Sequence, residues 1–253
     1  MISFFRKIRQ QLLTQNKVSK YLLYAIGEIV LVVLGILIAL SINNWNEVRK
    51  NHNTLEGYLI FLLEDIESDK NQLIRLIQER EVSLLSTTKI IDAYKNQTPI
   101  ETSDFLNAFN PIVVEQKFDN NTSGFDKVQN SVLFDSNKFQ NIRKLIRTYQ
   151  KSIDDVNFVE AKQNASSELM ESELLRNGFY DNIWADIRAY YEPELFEPKI
   201  EMTNFLKEIN KYGQVKAIFM RNEWVTPFII DDYELIIDIG EDLKLEIERY
   251  LNL

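Results

Sequence analysis

The chain has no cysteine, one histidine, and only seven glycines and five prolines in 253 residues. Without thiols it holds no disulfide, iron-sulfur cluster or thiolate zinc site, and cysteine usage says nothing of its redox compartment. The single His52 has no serine or cysteine nucleophile pattern around it. No triad can be drawn through it, and it reads as a surface residue. Phosphate-binding patterns of the GxxxxGK[ST] and GxGxxG kinds are missing, as is any interleaving of aromatic with basic residues. No segment alternates long enough to demand a sheet, and no period of about 20 to 50 residues repeats.

Acids are scarce in one place only. Residues 1–20 carry Arg6, Lys7, Arg9, Lys17 and Lys20 and no acid. The 29 basic and 38 acidic residues of the chain, less those five cations and Glu28, leave 24 against 37 beyond the apolar segment, a net of −13. That balance argues against nucleic acid as a partner. The basic end is better explained as a topology signal.

What is abundant is a hydrophobic run, KYLLYAIGEIVLVVLGILIALSINNW, from Lys20 to Trp45. At about 1.5 Å rise per residue, Tyr21 to Ile42 spans roughly the 30 Å of bilayer hydrocarbon. Cations before it and an acidic chain after it orient the amino end toward the cytoplasm, with Tyr21 and Tyr24 at one interface and Trp45 at the other. Small residues at Ala39-Leu40-Ser41 offer the alternative of a cleaved signal peptide. The long basic lead and the length of the run favour a retained anchor. Ahead of it, Phe5, Ile8 and Leu12 form one stripe, so residues 1–20 read as a short helix on the anionic inner leaflet, or else as an unstructured basic tail.

Glu28 interrupts the run. On a helix it shares a face with Tyr21, Tyr24, Ala25, Val32, Gly35, Ala39 and Ile42, opposite plain Leu, Ile and Val. An ionised acid there costs about 2.5 to 3.5 kcal/mol on insertion scales, so the face is expected to turn toward protein. Gly35 and Ala39 make a small-xxx-small pair on the same face. Tyr24, Ala25, Glu28, Val32, Gly35 and Ala39 are therefore the candidate helix-packing face. Two alternatives remain: Glu28 carries protons, as a lone acid does in single-crossing subunits of ion-driven complexes, or it reaches the headgroups.

Beyond the run, Leu59, Leu62, Leu63, Ile66, Leu73, Ile77, Leu84 and Ile91 predict a long helix from Trp45 to Gln97. Lys70 and Arg80 fall where a heptad seam is expected, favouring packing in a bundle over a two-stranded coiled coil. Thr98, Pro99 and Glu101 predict a short helix through Phe109, stopped by Pro111, with a loop over 112–123 and a hint of strand at Ile112 to Val114. A second long helix is expected from Ser136 to Arg176, ending at Asn177-Gly178 and pairing antiparallel with the first. Further helices are expected at 179–191, 203–222 and 231–251, separated by Pro193, Pro198 and Pro227, the last turning Ile236, Ile239, Leu243, Ile247 and Leu251 inward.

Acids cluster at Glu64, Asp65, Glu67 and Asp69, at Asp154 and Asp155, and at Asp231, Asp232 and Glu234. These read as solvated helix faces and not as acid-base pairs. Asp119, Asn121, Ser123 and Gly124 match the opening of a calcium loop, but Lys127 at position nine and Asn130 at position twelve do not, so 119–130 reads as a polar turn.

FFRKIRQQLL, NKVSKYLLYAIGEIVLVVLGILIALSINNWNE and YLIFLLEDIESDKNQL together resemble a family of single-anchor membrane proteins of Gram-negative bacteria that carry a domain of unknown function. The likeness runs over residues 4–75. TSGFDKVQNS and the closing helix follow the family pattern only loosely, with Val132 and Leu133 where a glycine usually follows a Ser-rich step. No functional residues carry over. The resemblance implies a Gram-negative setting, which makes the outer compartment the periplasm.

The expectation is therefore an all-α protein: a basic segment at 1–20, a transmembrane helix at 21–42 and a periplasmic bundle with long antiparallel helices at 43–253. It is expected at the inner membrane, as an interaction or scaffold protein in an oligomer or larger complex. The alternative is an accessory subunit of an ion-driven transport or sensing complex that uses Glu28. The partners are the bilayer and other copies or membrane and periplasmic proteins. No enzyme activity, cofactor, metal, nucleic acid or small-molecule substrate is expected.

Overall fold

The computed structural model describes residues 18–199, 206–207 and 209–253. The surface helix expected at the amino end, and the opening of the helix expected from 203, lie outside these. Among the described residues there is helix but no strand. The helices are α1 (Val18–Asn96), α2 (Thr102–Val113), α3 (Ser123–Gln129), a 3-10 turn (Asn137–Phe139), α4 (Gln140–Arg176), α5 (Phe179–Tyr191) and α6 (Gly213–Leu251). The chain forms two compact units, Met1–Glu56 and Gly57–Leu253, and α1 contributes to both.

In the first unit, α1 is long and apolar enough to cross a membrane by length and composition. Its most apolar window has a mean hydropathy of 2.7, and none of it is buried.

The second unit is organised by a heptad alternation of buried residues. Along α1 buried residues recur at Leu59, Leu62, Ile66, Asp69, Leu73, Leu76, Arg80, Ser83, Thr87, Ile90 and Tyr94 in alternating steps of three and four, with Ser86, Ile91 and Ala93 buried beside them toward its end. The same alternation runs through Ile142, Ile146, Tyr149, Ile153, Val156, Glu160, Gln163 and Ser167 of α4. It recurs through Val215, Phe219, Asn222, Thr226, Ile229, Tyr233, Ile236, Gly240, Leu243 and Ile247 of α6. A 3.5-residue period keeps each seam facing its partners over the whole length. Arg80 therefore does not break the seam as expected but sits in it, and Lys70 lies at its edge, 2.6 Å from Glu241. Of the closing stripe, Ile236, Leu243 and Ile247 are buried, and Ile239 and Leu251 are half-buried.

Cross-helix contacts fix the directions. Asp69 meets Tyr149 and Arg80 meets Glu160, so α1 and α4 run parallel. Lys70 meets Glu241 and Asn222 meets Thr87, so α6 runs antiparallel to α1. Asn141 meets Glu246 and Gln163 meets Arg221, so it is antiparallel to α4 too. The expected antiparallel pairing of α1 with α4 is thus overturned, and the antiparallel partner of each is α6. The reason is the connection: Gln116 bonds Glu79, Asn121 bonds Asp69 and Gly124 bonds Asp65, so the chain returns down α1 before α4 begins.

Two prolines and one cap also differ from expectation. Helix α2 starts at Thr102 with Glu101 as its N-cap, and Pro111 lies inside it. One missing amide near a helix end costs little, and burial of Ile112 draws the last turn into the core. That leaves no strand at 112–114. Pro227 likewise lies inside α6. Buried Asn222, Thr226, Ile229 and Tyr233 on either side hold the helix through it, offsetting the roughly 3 kcal/mol of an interior proline. Gly178, at φ 75°, takes the left-handed conformation that ends α4 and admits α5, as the Asn177-Gly178 pair predicts. Beyond the polar part of the seam, α2, α5 and the start of α6 close over α1 with an aromatic core in which Phe105 and Phe109 stack at 5.1 Å and Phe219 meets Phe105 edge-on at 5.8 Å.

A Cβ on Gly124 would lie 2.7 Å from the backbone of Leu62. Gly124→Ala is therefore expected to lower stability by about 1 to 3 kcal/mol, read as a reduced urea midpoint by circular dichroism of the purified chain.

Candidate functional site

The face built around Glu28 is exposed along most of its length. Tyr24 is 53% and Val32 55% exposed, Gly35 and Ala39 are open, and Ala25 and Glu28 are half-buried. All six lie on one helix, so their shared face follows from the spacing, and a Cβ on Gly35 would meet nothing within 4 Å. His52 is half-buried rather than fully at the surface.

The chemistry that sequence reasoning missed lies inside the second unit. Glu160 is 1% exposed and Arg80 5%. Their side chains pair at 3.4 Å, and the Arg80 Nε and Nη2 donate to the Tyr233 hydroxyl at 3.2 and 3.1 Å. That hydroxyl donates in turn to Glu160, whose two oxygens also accept the Phe118 amide at 3.2 and 3.1 Å. Burial and the adjacent Glu160 carboxylate push the Tyr233 hydroxyl well above the ordinary tyrosine range, with Arg80 pulling the other way.

One layer along, Asn222 Nδ2 donates to Ser83 Oγ and Thr87 Oγ1 at 3.2 and 2.8 Å, Thr226 donates to Asn222 at 2.6 Å, and Ser83 donates to the Ala108 carbonyl of α2. In the other direction, Asp69 accepts from Tyr149 at 3.0 Å and from both the amide and side chain of Asn121 at 2.9 Å. Asp69 is fully buried, so the expected solvated acidic face does not hold there, although Glu64, Asp154, Asp155, Asp231 and Glu234 are exposed. Its neighbour Asp65 accepts the Gly124 amide at 2.6 Å. Residues 123–129, expected as part of a polar turn, form α3 instead, with Gly124, Phe125 and Val128 buried.

The space beside Arg80, Ser83, Gln163 and Asn222 is about 10 Å³, room for one water. A larger surface groove of about 420 Å³ runs along α4 between Glu115, Ser167, Glu168 and Glu171. Among the described residues no set of three His, Asp or Glu could hold a metal ion. Sequence periodicity held one signal for the polar layers: Asp69, Arg80, Ser83 and Thr87 keep the alternation of the apolar positions around them.

Residues 28–110 match the model of a family of unknown function, DUF6090. No curated protein and no solved structure matches the chain. The matched stretch contains Glu28, Asp65, Asp69 and Arg80, whereas Tyr149, Glu160 and Tyr233, which complete the polar layers, lie beyond it.

Replacing Arg80 by Ala leaves Glu160 buried without its cation and is expected to cost about 3 to 5 kcal/mol in denaturant unfolding. The double replacement Arg80→Met with Glu160→Leu is expected to recover more than half of that loss, because it leaves no uncompensated charge.

Proposed function

We propose that this chain is a single-crossing inner-membrane protein, amino end in the cytoplasm and helical domain in the periplasm, that acts as an interaction or scaffold protein in an oligomer or larger complex. One observation carries the reading. The apolar window of α1 has a mean hydropathy of 2.7 with none of it covered by the chain, and lipid is the solvent that such a surface requires. The cation-rich first 20 residues support the orientation.

Work through contacts is supported by how the polar interior is used. Arg80, Glu160 and Tyr233 bond to one another, Asp69 to Tyr149 and Asn121, and Asn222 to Ser83, Thr87 and Thr226, and the space beside Arg80 and Asn222 is about 10 Å³. Large apolar side chains stand instead on the outside of α6, where Trp224 is 74% exposed and meets Phe228 at 6.0 Å. In the membrane, the face of Tyr24, Ala25, Glu28, Val32, Gly35 and Ala39 gives a second helix a close approach and brings Glu28 toward protein.

Carbonate washing is expected to leave the full-length protein in the membrane fraction, and protease added to spheroplasts is expected to digest the carboxyl-terminal part. Release by carbonate, or protection of that part, refutes the placement. Gly35→Leu is expected to reduce the yield of cross-linked oligomer in mild detergent, measured by mass, while leaving membrane insertion unchanged.

A further inference from the structure

Between Val114 and Ser123 the chain has no helix of its own, so its amides need partners from elsewhere. They find carboxylates: Phe118 on Glu160, Asn121 on Asp69, and Gly124 at the start of α3 on Asp65. The segment is a strap tied to α1 and α4 by acids, with Phe118 and Phe125 fully buried beneath it. We propose that the strap is operated by protons and tightens as the pH falls, with Asp69 as the group that takes up the proton.

The geometry singles out Asp69. Glu160 faces Arg80, but the charged groups around Asp69 offer it no cation contact among the described residues. On α1 these are Asp65, Glu67 and Lys70, and on α6 Glu241 and Lys244, where Lys70 is taken by Glu241 at 2.6 Å and Lys244 by Glu67 at 3.0 Å. From α4 comes the Tyr149 hydroxyl, and on the strap and α3 stand Asp119, Asp126 and Lys127, of which Lys127 lies over the Phe61 ring. Gly240 fills the α6 side of this layer with no side chain at all.

When the strap is closed, burial holds the Asp69 carboxyl above the ordinary aspartate range, and the nearby Asp65 carboxylate adds to this. The hydrogen bonds from Asn121 and Tyr149 pull it back without cancelling the rise. When the strap opens, Asp69 returns to water and to the ordinary value. The closed form therefore binds the proton more tightly, so closure gains as pH falls through the raised value and the gain is complete below the ordinary value of about 3.9. The Asn121 contacts survive protonation, because Oδ1 goes on accepting, whereas the Tyr149 hydroxyl loses Oδ2 as its acceptor once that oxygen carries the proton.

Hydrogen exchange at the Asn121 and Gly124 amides of the full chain in mild detergent, corrected for the intrinsic pH dependence of exchange, tests this between about pH 7 and pH 4.5. Protection is expected to rise on acidification across this window, toward a full gain of about threefold for each half unit by which Asp69 is raised, complete only below the ordinary value. Asp69→Asn, neutral at every pH, is expected to show no such slope. Tyr149→Phe, which removes a donor to the ionised form, is expected to move the rise to higher pH, and it serves should Asp69→Asn not fold. Flat or falling protection in the native chain, a native slope in Asp69→Asn, or an unmoved rise in Tyr149→Phe overturns the proposal.

Discussion

Carboxylates that accept main-chain amides are what allow α4 to run in the same direction as α1. Two long parallel helices in sequence need a connection that travels the length of both, and such a connection carries amides that must be met. Here it crosses the layers as the strap, and Asp65, Asp69 and Glu160 meet those amides from helices already in place. With that return made, α6 can lie antiparallel to both helices and close the third side of the seam.

Holding polar groups inside a seam carries an energetic cost. The Arg80–Glu160 pair loses hydration that its mutual attraction only partly restores, and an apolar layer in the same place packs at least as well. What the polar layers supply is register. Asn222 reaches Ser83 and Thr87 in one alignment of α6 on α1, and Arg80 meets Tyr233 and Glu160 together in one alignment of all three helices. A one-heptad slip leaves all of these buried and unpaired, at about 1 to 3 kcal/mol for each neutral group and more for the charges. The apolar positions alone are too alike along the seam to oppose such a slip.

Much of the molecule was readable beforehand because it depends on local pattern. The apolar run, the long helix after it, the helix expected from Ser136 that begins at Gln140 after a 3-10 turn, the break at Gly178 and the helix at 179–191 follow from periodicity and from where glycine stands. The seam was only half visible, since Arg80 and Asp69 look like interruptions until the partners that satisfy them are known. Prolines misled for the same reason. Pro111 and Pro227 are helix breakers in isolation, and each is carried within its helix by burial of the residues around it, which no local rule registers.

The sequence by itself determined that the chain is helical, that its first long helix begins with a stretch that lipid can solvate, and that one end carries cations without acids. These are properties of composition and of spacing along one helix, so neighbours in sequence suffice to fix them. Only the tertiary structure decided that α1 and α4 are parallel, that the strap returns between them, and that Asp69 and Glu160 are interior groups. Those facts depend on pairs such as Asp69 with Tyr149 and Arg80 with Glu160, each 80 residues apart, and the cost of burying one member is settled only when the other arrives.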